Sequence, residues 1–138
     1  MIMWLRKDSA KSTEDPVAIV VLGTHRSGTS VFTKVISLLG AELPANVMAA
    51  NSANEAGFWE PSRLVDLHDE LLSEAGSHWA DIEPLRLDRL PLDRYFFYRA
   101  EIARIIGEEY RQSPLIVIKD PRVCRFARVA LNQVIFSA

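Results

Sequence analysis

A chain of 138 residues, 49% hydrophobic and 25% charged, has ordinary soluble composition and room for one domain with a real core. Its formal net charge of −2 excludes bulk electrostatic attraction to nucleic acid or to an anionic membrane surface. A single cysteine, Cys124, excludes an internal disulfide and suits a reducing compartment, which makes the cytoplasm the default location.

The opening stretch "MIMWLRKDSAKSTEDP" is apolar only briefly before charge takes over, too short for a signal-peptide core or a membrane span. Residues 1–16 therefore read as a flexible polar leader. Val17 to Leu22 is a continuous apolar, β-branched run ending in glycine, the pattern of a strand buried on both faces of a parallel sheet. From Gly28 the pattern turns helical: Val31, Val35, Ile36, Leu38 and Leu39 recur at three- and four-residue steps, with Gly40 as the stop. Residues 41–60, rich in Ala, Asn and Pro, read as a loop. Pro61 suits a first helical turn, and Leu64, Leu67, Leu71 and Leu72 mark a second helix ending near Gly76.

Residues 77–91 read as loop. A third helix is expected from Leu92 to Arg111, with Tyr95, Tyr98, Ile102, Ile105 and Ile106 on one face and Gly107 weakening its continuity. Leu115 to Ile118 is a second buried strand, stopped by Asp120-Pro121, and "RVCRFARVALNQVIF" fits a last helix. The order strand, loop, three helices, strand, helix predicts an α/β layer fold: a parallel sheet flanked by helices, of the P-loop nucleotide-binding kind. Two strands make a small parallel sheet, so the chain reads as the truncated first part of a larger domain.

The chemistry concentrates in "GTHRSGTS", residues 23–30, between the first strand and the first helix. A glycine-bearing turn at that place directs consecutive amides into a small concavity, and the helix N-terminus adds partial positive charge, so the site suits phosphate or sulfate. Gly23 and Gly28 permit the turns, and Thr29 and Ser30 offer hydroxyls. Thr29 occupies the position where GxxxxGK[ST] requires lysine, which argues against ATP or GTP hydrolysis. Arg26 supplies a fixed cation with several donors for a planar group in transfer. A sulfuryl group carries less negative charge than a phosphoryl group and needs no metal in principle, so arginine without lysine favours sulfuryl transfer.

"GTHRSGTS" resembles the 5'-phosphosulfate loop of sulfotransferases that use 3'-phosphoadenosine 5'-phosphosulfate (PAPS). "NEAGFWEPSRLVDLHDELL" and "LIVIKDPR" agree with it in order and spacing, so residues 17 to 126 resemble the bacterial-type sulfotransferases related to the tyrosylprotein enzymes. The resemblance implies that Arg26, Ser27, Gly28, Thr29 and Ser30 bind the phosphosulfate of PAPS, and that Arg26 also stabilises the transferring group. It implies a base that takes the proton from an acceptor hydroxyl or amine, with Glu60, Glu55 and His68 as candidates; Glu60 is favoured because it lies in the matching "GFWE". The acceptor would be a small molecule or a carbohydrate. Residues 17–138 would form the N-terminal part of such a domain, since the family's second motif, which grips the 3'-phosphate, has no counterpart in "IKDPRVCRF".

Plainer readings stand beside these. The glycines also suit a simple strand-to-helix turn. Glu60 also favours the dipole of the helix that follows it. His68 and Asp69 read better as a solvated helix face than as catalysts, and Asp120-Pro121 reads as a helix cap. Lys119 sits where ligands bind open α/β sheets, and a surface ion pair explains it equally well. Phe58 and Trp59 suit either an acceptor pocket or the core. The three histidines show no metal spacing with Cys124. A non-catalytic anion- or nucleotide-binding protein and a P-loop kinase or NTPase remain the alternative functions.

Overall fold

The computed structural model describes residues 2–5, 17–52, 54–55, 57–110 and 113–130. In chain order its elements are β1 (Ile2–Leu5), β2 (Val17–Val21), α1 (Thr29–Leu38), α2 (Ser62–Glu74), a 3-10 turn at Leu87–Arg89, α3 (Leu92–Glu109), β3 (Leu115–Lys119) and α4 (Val123–Ala130). The fold is α/β, with a parallel pair of strands flanked by helices.

β2 and β3 pair in parallel, Val17 opposite Leu115 through Val21 opposite Lys119. Alternation along these strands sorts the core into two layers. Ile116 and Ile118 face a cluster built with Leu64, Leu71 and Leu72 of α2, Tyr98, Ile102 and Ile105 of α3, and Phe126 of α4. Val117, Ile19 and Val21 face Ile36 of α1 and Ala41. The leucine spacing of α2 and the aromatic and isoleucine spacing of α3 thus bury the expected faces. Pro61 stands just before α2 rather than inside its first turn, where its extended φ of −69° and ψ of 107° start the helix. Gly107 leaves α3 unbroken, because tertiary packing on both sides outweighs one residue's propensity.

Three expectations need correction. Residues 2–5 lie in the stretch expected to be a leader, yet they form β1 and pair antiparallel with β2, Ile2 opposite Val21 and Leu5 opposite Ala18. A strand laid there satisfies backbone groups that β2 would otherwise leave at a sheet edge. The periodic residues of α1 do not form a buried stripe: Val31, Val35, Leu38 and Leu39 are exposed and only Ile36 among them is buried. Helical spacing fixes which residues share a face, but a partner must exist before that face is buried. α3 ends at Glu109, with Tyr110 as its cap; Arg111 and residues 131–136 of the expected last helix lie outside the described residues.

The long loop 41–60 is tied down by a buried carboxylate. Glu109, 1% exposed, accepts from the Asn46 amide at 2.8 Å and from Asn46 Nδ2 at 3.0 Å, while its carbonyl accepts from the Ala45 amide at 3.0 Å. Ser62 N–H then donates to the Asn46 carbonyl at 3.0 Å, and Met48 N–H donates to that of Glu60 at 2.8 Å. Glu60 is therefore placed from two directions.

The two classes of apolar residue should respond differently to truncation. Leu64→Ala is expected to cost about 2–5 kcal/mol because it opens a cavity in the core, whereas Leu38→Gln at an exposed site should stay within about 0.5 kcal/mol. Urea denaturation of both variants measures the contrast.

Candidate functional site

The turn from β2 into α1 owes its shape to backbone geometry that few residue types accept. Gly28, preceding α1, has φ 80°, and Arg26 has φ 60°, both left-handed. Glycine adopts that region freely, while arginine there carries strain of roughly 1–2 kcal/mol. Gly23 is required by close approach: a Cβ would lie 2.5 Å from Thr29 Cγ2 and 2.8 Å from Ser27 Oγ. The Gly28 carbonyl accepts the first helical bond, from Phe32 N–H at 3.1 Å, so the amides of Thr29, Ser30 and Val31 have no intrahelical partner. These amides and the positive end of the α1 dipole make the turn an anion-seeking surface.

The wall opposite comes from the end of the long loop. Gly57 at φ 93° and Trp59 at φ 57° bend this segment. Ser30 Oγ lies 3.4 Å from the Phe58 carbonyl, which it can use as acceptor. Glu60 follows, 1% exposed. A cavity of about 430 Å³ results, lined by Arg26, Gly28, Thr29 and Ser30 of the turn, by Phe58, Glu60 and Asn54 of the loop, and by Lys119, His25 and Trp79.

Four of the five expected anion-binding residues thus share one cavity with the favoured base. Ser27 is the exception: its exposed hydroxyl donates to the Thr24 carbonyl at 2.6 Å and so braces the turn. Glu55 is exposed, and neither it nor His68 lines the cavity. Trp59 packs under Lys34, whose Nζ lies 4.4 Å from the ring centre.

Lys119 is the residue whose importance the sequence left undecided. It is 3% exposed, so the surface ion pair is ruled out. Its Nζ pairs with Glu60 Oε1, and lies 3.4 Å from the Phe58 carbonyl and 3.5 Å from Ser30 Oγ. The turn lacks the lysine of its own sequence motif, yet a lysine reaches it from β3. A charged residue closing an apolar strand next to a glycine turn was the available signal. Trp79 had none: it reaches the cavity from an irregular loop and packs its ring 4.2 Å from that of His25.

Behind Glu60 lies a buried polar cluster. Arg122 Nη1 is 3.6 Å from Glu60 Oε2 and 3.2 Å from Asp120 Oδ1, and its Nε donates to Asp69 Oδ1 at 2.6 Å. Asp120, fully buried, accepts the Arg122 amide at 2.9 Å and bonds His68 Nδ1 at 2.8 Å. Asp120 is therefore an ionic anchor, and it closes a turn ahead of α4 instead of the helix cap expected from Asp-Pro, since the helix begins at Val123 and not at Pro121. His68 is 3% exposed, which overturns the solvated-face reading for that residue; Asp69 keeps partial exposure while holding Arg122.

Electrostatics differ from group to group. Burial pushes the Glu60 carboxyl above its ordinary range, against the opposing hydrogen bond and charge of Lys119. Burial acts the same way on Asp120, but the His68 hydrogen bond, the His68 charge and the Arg122 contacts outweigh it and hold that carboxyl low. Burial, then the positive charges of Arg122 and Lys119, lower His25 below its ordinary value of 6.5, so it faces the cavity as neutral imidazole at neutral pH.

Comparison of the chain with family models, with curated proteins and with solved structures finds no match. Among the described residues, no helix is long and apolar enough to cross a membrane.

The sign of the acid response follows from these shifts. Asp120 is depressed in the folded state, so its stabilisation is complete above the ordinary aspartate value of 3.8 and is lost as pH falls below it. Glu60 has the opposite sign, since the native state holds its proton more tightly between 4.5 and its raised value. Denaturation as a function of pH should show a steep acid loss in wild type that Asp120→Asn flattens; equal slopes below pH 4 would contradict the assignment.

Proposed function

We propose that this chain is a sulfotransferase-like protein with a P-loop-type nucleotide-binding fold. In this reading Arg26, Gly28, Thr29 and Ser30 hold the 5'-phosphosulfate of PAPS, and Glu60 takes the proton from an acceptor hydroxyl or amine. The single observation that carries the reading is the shared cavity: a helix-capping anion turn and a buried carboxylate, 30 residues apart in sequence, line the same space. An anion site alone would need only the turn. A carboxylate beside it has a purpose when one substrate is an anion and the other must lose a proton.

In the transfer, the acceptor oxygen or nitrogen forms a new bond to sulfur as its proton passes to Glu60. The bond from sulfur to the bridging oxygen breaks, and its electron pair stays on the departing 5'-phosphate. The turn amides and Arg26 are placed to stabilise charge on that phosphate and on the sulfuryl oxygens, the kind of preorganised donors that contribute most to rate.

Lys119 supports a second reading, a P-loop kinase or NTPase, because it restores a lysine to the turn. The charge balance favours sulfuryl transfer instead. The charges of Glu60 and Lys119 cancel and His25 is neutral, so the net charge of the cavity lining is that of Arg26. That balance matches a singly charged sulfuryl group better than a γ-phosphoryl group. The acceptor is read as a small molecule or a carbohydrate, with Trp79 and Phe58 available as apolar walls. A cytoplasmic setting goes with the same reading, and a chain with a single cysteine suits it.

Calorimetric titration with PAPS, with its desulfated product PAP, and with ATP plus magnesium separates the alternatives. PAPS and PAP should bind with EDTA present, Gly28→Val should abolish binding, and Arg26→Ala should lower any sulfuryl transfer by roughly a hundred- to a thousandfold. Binding of PAP without transfer to any hydroxyl or amine acceptor would favour a non-catalytic binding protein. A magnesium-dependent preference for ATP would favour the kinase reading.

A further inference from the structure

Lys119 has two competing claims on its charge. One is Glu60, with which it forms a buried ion pair; the other is the turn, whose Ser30 hydroxyl lies 3.5 Å from its Nζ. The ammonium also has the Phe58 carbonyl at 3.4 Å, so it can lean toward the turn without losing every hydrogen bond. A lysine side chain of this kind is a mobile point charge with three donors. A carboxylate locked to it is a weak base, because the ion pair stabilises the ionised form that proton transfer would remove.

We propose that Lys119 couples the two halves of the site: an anion entering the turn draws the lysine away from Glu60 and thereby turns Glu60 into an effective base. This rests on the sulfuryl-transfer reading and adds an order of events to it. With the turn empty, Glu60 is neutralised and acceptor activation is suppressed. With the phosphosulfate in place, the Lys119 charge serves the anion, and Glu60 is left buried with only the longer contact to Arg122, 3.6 Å away and itself shared with Asp69 and Asp120. The proton that Glu60 then favours is the one the acceptor must lose. Burial already raises the Glu60 carboxyl against the pull of Lys119, so removing that pull raises it further. Acceptor activation would therefore wait for the donor, which protects the site from engaging an acceptor with nothing to transfer.

Among the described residues, Glu60 faces Lys119, Arg122 and Asp120, Lys119 also lies near His25 on the turn, and Arg26 shares their cavity. His25 is the other group that an added negative charge would protonate, so the test must distinguish the two.

Inorganic sulfate is a suitable probe because it does not titrate near neutral pH. Calorimetric titration at pH 7 in two buffers of different ionisation enthalpy counts the protons exchanged on binding. Wild type should take up only a fraction of a proton as sulfate binds, because the Glu60 carboxyl moves up yet must stay mostly ionised at this pH to accept the acceptor's proton. Glu60→Gln should bind sulfate without that uptake and roughly tenfold more tightly, because the carboxylate no longer competes for Lys119. Should Glu60→Gln fail to fold, the decision passes to wild type, with the Glu60 carboxyl followed by carbon-13 NMR: a rise in its pKa on adding sulfate supports the coupling, and a constant pKa overturns it. Uptake that persists in Glu60→Gln assigns the proton to His25 and overturns the proposal. Equal sulfate affinity in the two proteins also overturns it, while leaving the anion site intact. Absence of sulfate binding to folded wild type would remove the anion site itself, and the functional reading with it.

Discussion

The buried ion pair between Glu60 and Lys119 is the constraint on which the site depends. Each charge taken alone from water into that position costs several kcal/mol, and only close pairing with further hydrogen bonds offsets the cost. Breaking such a pair from one side typically costs about 3–5 kcal/mol, whereas a well-packed apolar replacement is often neutral or better. Stability alone therefore gives weak reason for placing these groups here. The pair also fixes geometry: it ties the end of β3 to the end of the 41–60 loop and sets both against the turn that opens α1.

The other parts hold the pair in register. Parallel pairing of β2 and β3 brings Val21 and Lys119 to the same level, so the strand that leads into the turn and the strand that supplies the lysine end together. Asp120 and Arg122 continue directly from Lys119 into a cluster that reaches His68 and Asp69 on α2. Glu109, at the far end of α3, holds Asn46 and through it the start of α2. Elements distant in sequence are thus connected through polar contacts, and Glu60 and Lys119 carry those contacts to the cavity. The turn contributes oriented amides and a helix dipole, and the cluster contributes a carboxylate and a cation in balance.

Much of this was legible in the sequence because period and punctuation are local. Both parallel strands, the three full helices and the loop between Gly40 and Pro61 follow from apolar spacing and from where Gly and Pro stand. The turn was legible because Gly23 and Gly28 sit where only glycine fits without strain or clash. Glu60 was reachable as a candidate only through resemblance, since a lone glutamate before a proline has a plain structural explanation. Lys119, His68 and Asp120 were not placed because their partners lie 59 and 52 residues away, and no local pattern encodes such a contact. β1 was missed for a related reason: four apolar residues make a strand only when a neighbouring edge needs covering. The apolar residues of α1 show the reverse, a clear helical stripe that the fold leaves exposed.

The most direct measurement is backbone NMR of the labelled chain during titration with PAP. Saturable shifts centred on the amides of Gly28, Thr29 and Ser30 are expected, together with a change at Lys119 and Glu60, because an anion held by the turn must perturb the ion pair beside it. Shifts scattered over surface lysines and arginines, or a turn that stays silent while PAP binds elsewhere, would contradict the assignment of this cavity as the donor site.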